Sequence, residues 1–130
     1  MLADTSFLID LMVGDKAAVE KAREIEAKGT PLFVSAPTLF ELYVGISLSR
    51  KAEEEITRIQ VVLESLPFIP LDIESSKAAG RIFGEKKQMG STIDPEDAMV
   101  AGIAKVHGEK VLTRNLKHFK GIEGVNVESY

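Results

Sequence analysis

Apolar positions along this chain fall into short blocks separated by stretches with helical spacing. Met1-Leu2-Ala3 reads as a very short buried strand ending at Asp4. Thr5 and Ser6 are placed to cap a helix carrying Phe7, Leu8, Leu11 and Met12, and Gly14-Asp15 breaks it. A more polar helix follows over about 15–28, with Ala18, Val19, Ala22 and Ile25 on one side and Gly29 as its stop. Leu32-Phe33-Val34 is the next predicted strand, and Pro37 opens a helix to about residue 48, near a start where a missing N–H is harmless.

Another helix is predicted over roughly 51–64, with Ile56, Ile59, Val62 and Leu63 facing inward. Residues 66–71 form a short strand punctuated by Pro67 and Pro70, which assigns it to a sheet edge. Helices over 73–88 and from Asp94-Pro95 to about 107 come next, then a strand at 110–113. One helical turn at 115–120 and a last strand at 125–127 complete the pattern.

Strands alternating with helices imply an α/β fold: a central parallel sheet with helices on both faces, in three layers. Ligand sites in such sheets lie beyond the carboxyl ends of the strands. Asp4 sits at one such end and Asn115, just past Thr113, at another. No linker or internal repeat divides the 130 residues, so the expectation is one domain over 1–130.

Composition adds exclusions. With 45% hydrophobic and 28% charged residues the balance is that of a soluble domain. Cysteine is absent, which removes zinc–thiolate sites and thiol nucleophiles and fits a reducing compartment. Neither a signal peptide nor a membrane span is evident, so a cytoplasmic protein is expected. A net charge of −4 and a pI near 5.2 exclude nucleic-acid binding through bulk positive charge. Locally, however, residues 105–120 carry Lys105, Lys110, Arg114, Lys117 and Lys120 against Glu109 alone, enough for a basic rim.

The chemistry rests on carboxylates. Glu41 interrupts Leu39-Phe40-Glu41-Leu42-Tyr43-Val44-Gly45-Ile46, an almost wholly apolar helix, with Gly45 leaving open space one turn on. A carboxylate there is either satisfied by an Arg or a backbone N–H, or bound to metal. Asp4 is either the N-cap of the first helix or a functional group at a strand end. Asp94-Pro95-Glu96-Asp97 reads as N-cap to N3, so Asp97 is either the acid of a capping box or a group projecting from the mouth of a buried helix. Together these acids suit a hard cation, Mg²⁺ or Mn²⁺, which prefers carboxylate oxygens. His107, after a helix end, and His118, in a basic loop, read as solvated side chains. Phosphate-cradling Gly-rich loops, GxSxG and HExxH are absent.

These pieces in order resemble the PIN-domain family, specifically the toxin ribonucleases of the VapC type. The resemblance is carried by Leu2-Ala3-Asp4-Thr5-Ser6, Thr38-Leu39-Phe40-Glu41-Leu42, the stretch from Ile93 through Asp94 and Asp97 to Ala101, and Val111-Leu112-Thr113-Arg114-Asn115 with Phe119 behind it. It implies a Rossmann-like sheet with an acidic pocket and a metal-dependent endoribonuclease using Mg²⁺ or Mn²⁺. Asp4, Glu41 and Asp97 match the family's acidic positions, with Asp4 and Asp97 as the main metal ligands. Asn115 matches a fourth position that is often acidic. As Asn is neutral, it puts a full second metal site in doubt and would orient water or a ligand. An RNA substrate, a cognate antitoxin and a homodimer are implied as partners, with Leu8 and Tyr43 on the apolar first and third helices as docking anchors. The alternatives are a PIN nuclease of RNA processing without an antitoxin, and a non-catalytic PIN-like module that binds RNA or protein.

Overall fold

The structure, a computed structural model, describes every residue from Met1 to Tyr130. Its centre is a five-stranded parallel sheet in the order β3-β2-β1-β4-β5. The strands are β1 (Leu2–Ala3), β2 (Phe33–Ser35), β3 (Phe68–Ile69), β4 (Val111–Leu112) and β5 (Val127–Glu128). The proline-flanked β3 is indeed an edge, where a missing N–H costs no ladder bond. Between the strands run α1 (Thr5–Met12), α2 (Lys16–Ala27), α3 (Ala36–Leu48), α4 (Ala52–Leu63), α5 (Ile73–Gln88), α6 (Pro95–His107) and the single turn α7 (Leu116–Phe119).

The central two-residue strands β1 and β4 are apolar and buried on both faces and feed two separate cores. Leu2 and Val111 point into a core built with Ala98, Val100, Ile103 and Phe119 of α6 and α7. Their neighbours Ala3 and Leu112 point the other way, into a core with Phe7, Leu8, Leu42 and Ile59 of α1, α3 and α4. Alternation along a strand thus produces the expected three layers. Ile56, Val62 and Leu63 pack against the second core, as predicted for their helix.

Several local expectations are corrected. Asp4, not Thr5 or Ser6, occupies the N-cap position of α1, and both hydroxyl residues lie inside the helix. Ser35 belongs to β2, because its backbone pairs with Ile69. The last strand begins at Val127: Val125 donates its N–H to Ile122 O in a turn instead, after Gly124 at φ +78°. Leu8 cannot anchor a partner, being fully buried in the second core. On the same helices Ile9, Phe40, Tyr43, Val44 and Leu48 are the exposed large apolar side chains, and Val13 is exposed just after α1. No helix is long and apolar enough to cross a membrane.

The contact between α5 and α6 is close because α6 is built of small residues. A Cβ on Gly102 would stand 2.6 Å from Ser75 O and 2.7 Å from Ala79 N. Those neighbours are backbone and cannot swing aside. Gly102→Ala therefore sets a helix-propensity gain of about 1 kcal/mol against an overpacking cost of about 1–3 kcal/mol, and the cost should win. A lower denaturant midpoint for this variant is the expected result; an equal or higher one would show that the helices separate freely.

A carboxylate site at the carboxyl ends of the strands

Asp4 follows β1 directly and remains in register, its N–H donating to Leu112 O at 2.9 Å. Its backbone is extended, and its side chain makes no cap bond to α1. Instead Oδ2 accepts from the Thr113 hydroxyl at 2.7 Å and lies 3.2 Å from the Ser6 hydroxyl. Thr113 is itself fully buried, and its Oγ1 accepts from the Asn115 N–H at 2.9 Å. Ser6 Oγ lies 3.2 Å from Thr113 Oγ1 and accepts from the Arg114 N–H at 3.2 Å. The capping alternative for Asp4 is thus not realised: its carboxylate is pinned by hydroxyls reaching from β4 and from α1.

Glu41 projects from α3 towards the same end of the sheet, its Oε1 accepting from the Thr5 hydroxyl at 3.1 Å. A Cβ on Gly45, one turn further, would meet nothing within 4 Å, which is the predicted open space. Asp97 occupies the first turn of α6, and neither it nor Asp94 forms a capping box there. The box occurs in α5 instead, where Asp72 and Ser75 each bind the other's backbone N–H at 2.9 Å. Asp97 Oδ2 lies 3.0 Å from Nδ1 of His118, so that histidine is not the solvated bystander its loop suggested.

Electrostatics tie these acids together. Partial burial pushes Glu41 up to about 7; the Thr5 bond opposes this, while repulsion from Asp4, Asp97 and Glu96 adds to it. Burial likewise pushes Asp97 up to about 6, against the pull of His118 and with repulsion from Asp4 and Asp94. Asp4, Glu41 and Asp97 therefore form one interacting cluster.

The remaining sequence candidates separate. Asn115 stands at the rim, exposed, in the N-cap position of α7 without a side-chain cap bond. His107 takes no part in the cluster. Thr5 and Ser6 were read only as helix caps and Thr113 only as part of a strand, although all lie within the matching motifs. Asp10 was missed altogether: it is buried in α1, accepts from the Tyr130 hydroxyl at 2.7 Å and pairs with Arg114 at 3.1 Å. Its signal was an acid one turn beyond Phe7 in an otherwise apolar helix.

No three Asp, Glu or His side chains converge as a preformed metal cage. The donor set nevertheless fits a divalent cation in another way. Mg²⁺ is held by one or two carboxylates and keeps several waters, so a complete cage is not its requirement. Clustered carboxylates that raise one another's pKa gain from a positive charge between them.

A sequence model described as "PIN domain" matches residues 1–124. The tRNA(fMet)-specific endonuclease VapC of Salmonella typhimurium is 30% identical over 97 residues, covering 75% of this chain and 74% of that protein. Ribonuclease VapC3 of Methanocaldococcus jannaschii is 32% identical over 100 residues, 77% of this chain and 93% of its own. Among solved structures, the DNA-bound VapBC of Salmonella typhimurium superposes with a TM-score of 0.88 at 25% identity, over 98% of this chain and 96% of that one.

The raised pKa of Glu41 has a definite sign in stability. Its folded-state value lies above the ordinary one, so folding favours the neutral carboxyl, and that contribution is lost as pH rises through about 7. Glu41→Gln keeps an acceptor for Thr5 but removes the charge. In EDTA above pH 7 the variant should be more stable than the native protein by about 1 kcal/mol, a figure reduced for the solvent that still reaches the group. The gain should vanish in acid. Thermal melts across pH check this, and an unchanged melting temperature at alkaline pH would contradict the desolvated site.

Proposed function

The chain belongs to the PIN-domain family, and on that premise we propose that it is a divalent-metal-dependent endoribonuclease, the toxin of a VapBC-type toxin–antitoxin pair. The observation that carries the reading is the coupled cluster of Asp4, Glu41 and Asp97 at the strand ends. A binding module has no use for partly desolvated carboxylates that repel one another; hydrolysis of a phosphodiester does.

Each residue has a distinct part. Asp4 and Asp97 would hold the ion, Mg²⁺ or Mn²⁺. When bound, the ion would supply an acidified water and positive charge facing the scissile phosphate. Asp4 needs little reorganisation for this, since Thr113 and Ser6 already fix its carboxylate. Glu41 has Oε1 engaged by Thr5, which leaves Oε2 to orient the attacking water and accept its proton. His118 holds the orientation of Asp97 from the rim. Asn115, neutral and exposed, would orient water or substrate through its side-chain amide. Water would attack the phosphorus as the P–O3′ bond breaks, with no 2′-hydroxyl nucleophile, so products carry 5′-phosphate and 3′-hydroxyl ends.

An antitoxin partner also has a place to sit. Glu41 borders a cleft of about 190 Å³ lined by Ile9, Met12, Val13, Leu42 and Gly45. Exposed Phe40, Tyr43 and Leu48 extend the apolar surface of α3. A helix-in-groove partner uses such anchors, and one seated there would lie against the acid cluster. A homodimer remains the family-based expectation for its assembly.

RNA incubated with purified protein in Mg²⁺ or Mn²⁺ should be cleaved to 5′-phosphate ends, and EDTA, Asp4→Asn or Asp97→Asn should abolish cleavage. Products ending in a 2′,3′-cyclic phosphate, or activity surviving both substitutions, would refute the mechanism. Separately, Tyr43→Asp should weaken antitoxin capture in a pull-down while leaving the fold intact. Undiminished capture would move the docking surface elsewhere.

A further inference from the structure

The basic segment 105–120 does not form one patch. Lys110 lies at the amino end of the sheet, where its backbone O accepts from Leu2 N–H and its amine pairs with Glu128. Arg114 is held by the buried Asp10. Lys117 is different: it forms no ion pair and no hydrogen bond in the structure, and it lines a groove of about 340 Å³ that ends on Asp97 and His118.

Lys86, at the end of α5, lines the same groove. Its amine donates to Lys120 O at 3.1 Å, a neutral acceptor that leaves the charge uncompensated. The same bond ties the end of α5 to the residue after α7. Ser91 and Thr92 add hydroxyls to the lining, Asp94 adds a second carboxylate beside Asp97, and Ile93 is its lone apolar member. The volume is at the small end of ligand-sized clefts, about 300–1,000 Å³.

We propose that this groove seats the phosphate backbone of a single-stranded RNA next to the bond being cut, with a phosphate between Lys86 and Lys117. The assignment deepens the nuclease reading and rests on it for the position of the scissile bond. Uncompensated amines, hydroxyl donors and continuity with Asp97 all suit a phosphodiester chain. An acidic peptide would find one apolar anchor only, too few for the usual modes of peptide docking. No Phe, Tyr or Trp lines the groove, and its one ring, His118, is engaged by Asp97. The groove therefore contributes affinity that is independent of sequence, unlike loop-borne stacking sites.

Binding of fluorescent single-stranded RNA oligomers of two unrelated sequences is measured by anisotropy across a salt series, in EDTA so that nothing is cleaved. Lys117→Gln removes a group without structural partners and should lower the slope of log Kd against log salt by about 0.7. Adding Lys86→Gln should bring the reduction to about 1.4. Both oligomers should weaken equally, and Lys110→Gln should bind like the native protein. Unchanged slopes, or a loss confined to one sequence, would overturn the proposal. If the native protein cleaves RNA while the groove variants bind it normally, the groove fails and the nuclease reading stands. If the native protein cleaves no RNA while those variants lose binding as predicted, the groove stands and the nuclease reading fails.

Discussion

Carboxylates at one end of this sheet repel one another across partly dehydrated space, and the surrounding elements hold them together against that repulsion. Asp4 is delivered by the central strand and cannot retreat, since its N–H is still paired to β4. Glu41 and Asp97 come from α3 and α6, which pack on each other as well as on the sheet. Burial first and this repulsion second raise the pKa of Glu41 to about 7 and that of Asp97 to about 6. Packing elsewhere in the two cores supplies the stability that makes this tolerable, as is usual where polar groups are gathered for function.

The polar shell around the acids is economical. Short hydroxyl side chains, Thr5, Ser6 and Thr113, donate to carboxylate oxygens without adding positive charge. An Arg in their place would neutralise the site and remove its demand for a cation. The guanidinium of Arg114, next to Thr113 in the chain, is directed to Asp10, where Tyr130 completes the bond set and its ring packs edge-on to Phe7 at 5.0 Å. Positive charge is thus held at the margin, on Lys117 and Lys86, the side from which the proposed RNA substrate would approach.

Much of the architecture was legible in the sequence because the signals were redundant. The central strands β1 and β4, buried on both faces, stand out as apolar blocks, and Gly29 and Pro37 mark boundaries independently of periodicity. The misplaced residues have local causes. Ser35 is polar yet belongs to a strand, its hydroxyl bonding to Thr38 and its backbone to Ile69. Val125 is apolar but reaches the core from a turn. The acids were conspicuous because a carboxylate in an apolar setting is costly. Their hydroxyl partners were not, because Thr and Ser are common, and the bond from Thr113 to Asp4 joins residues 109 apart in the chain. The capping role read into Asp94 and Asp97 failed for a similar reason: local rules cannot register that His118 competes for the Asp97 carboxylate.

The central claim is that these acids form a metal site governed by their shared charge. Titrating Mn²⁺ into the metal-free protein by calorimetry, at a pH above the value of about 7 held by Glu41 and again well below the value of about 6 held by Asp97, tests it most directly. The account predicts binding with proton release at the higher pH, a large loss of affinity at the lower one, and no binding when Asp4 and Asp97 are both replaced by Asn. Binding that ignores pH, or that survives the double replacement, would contradict it.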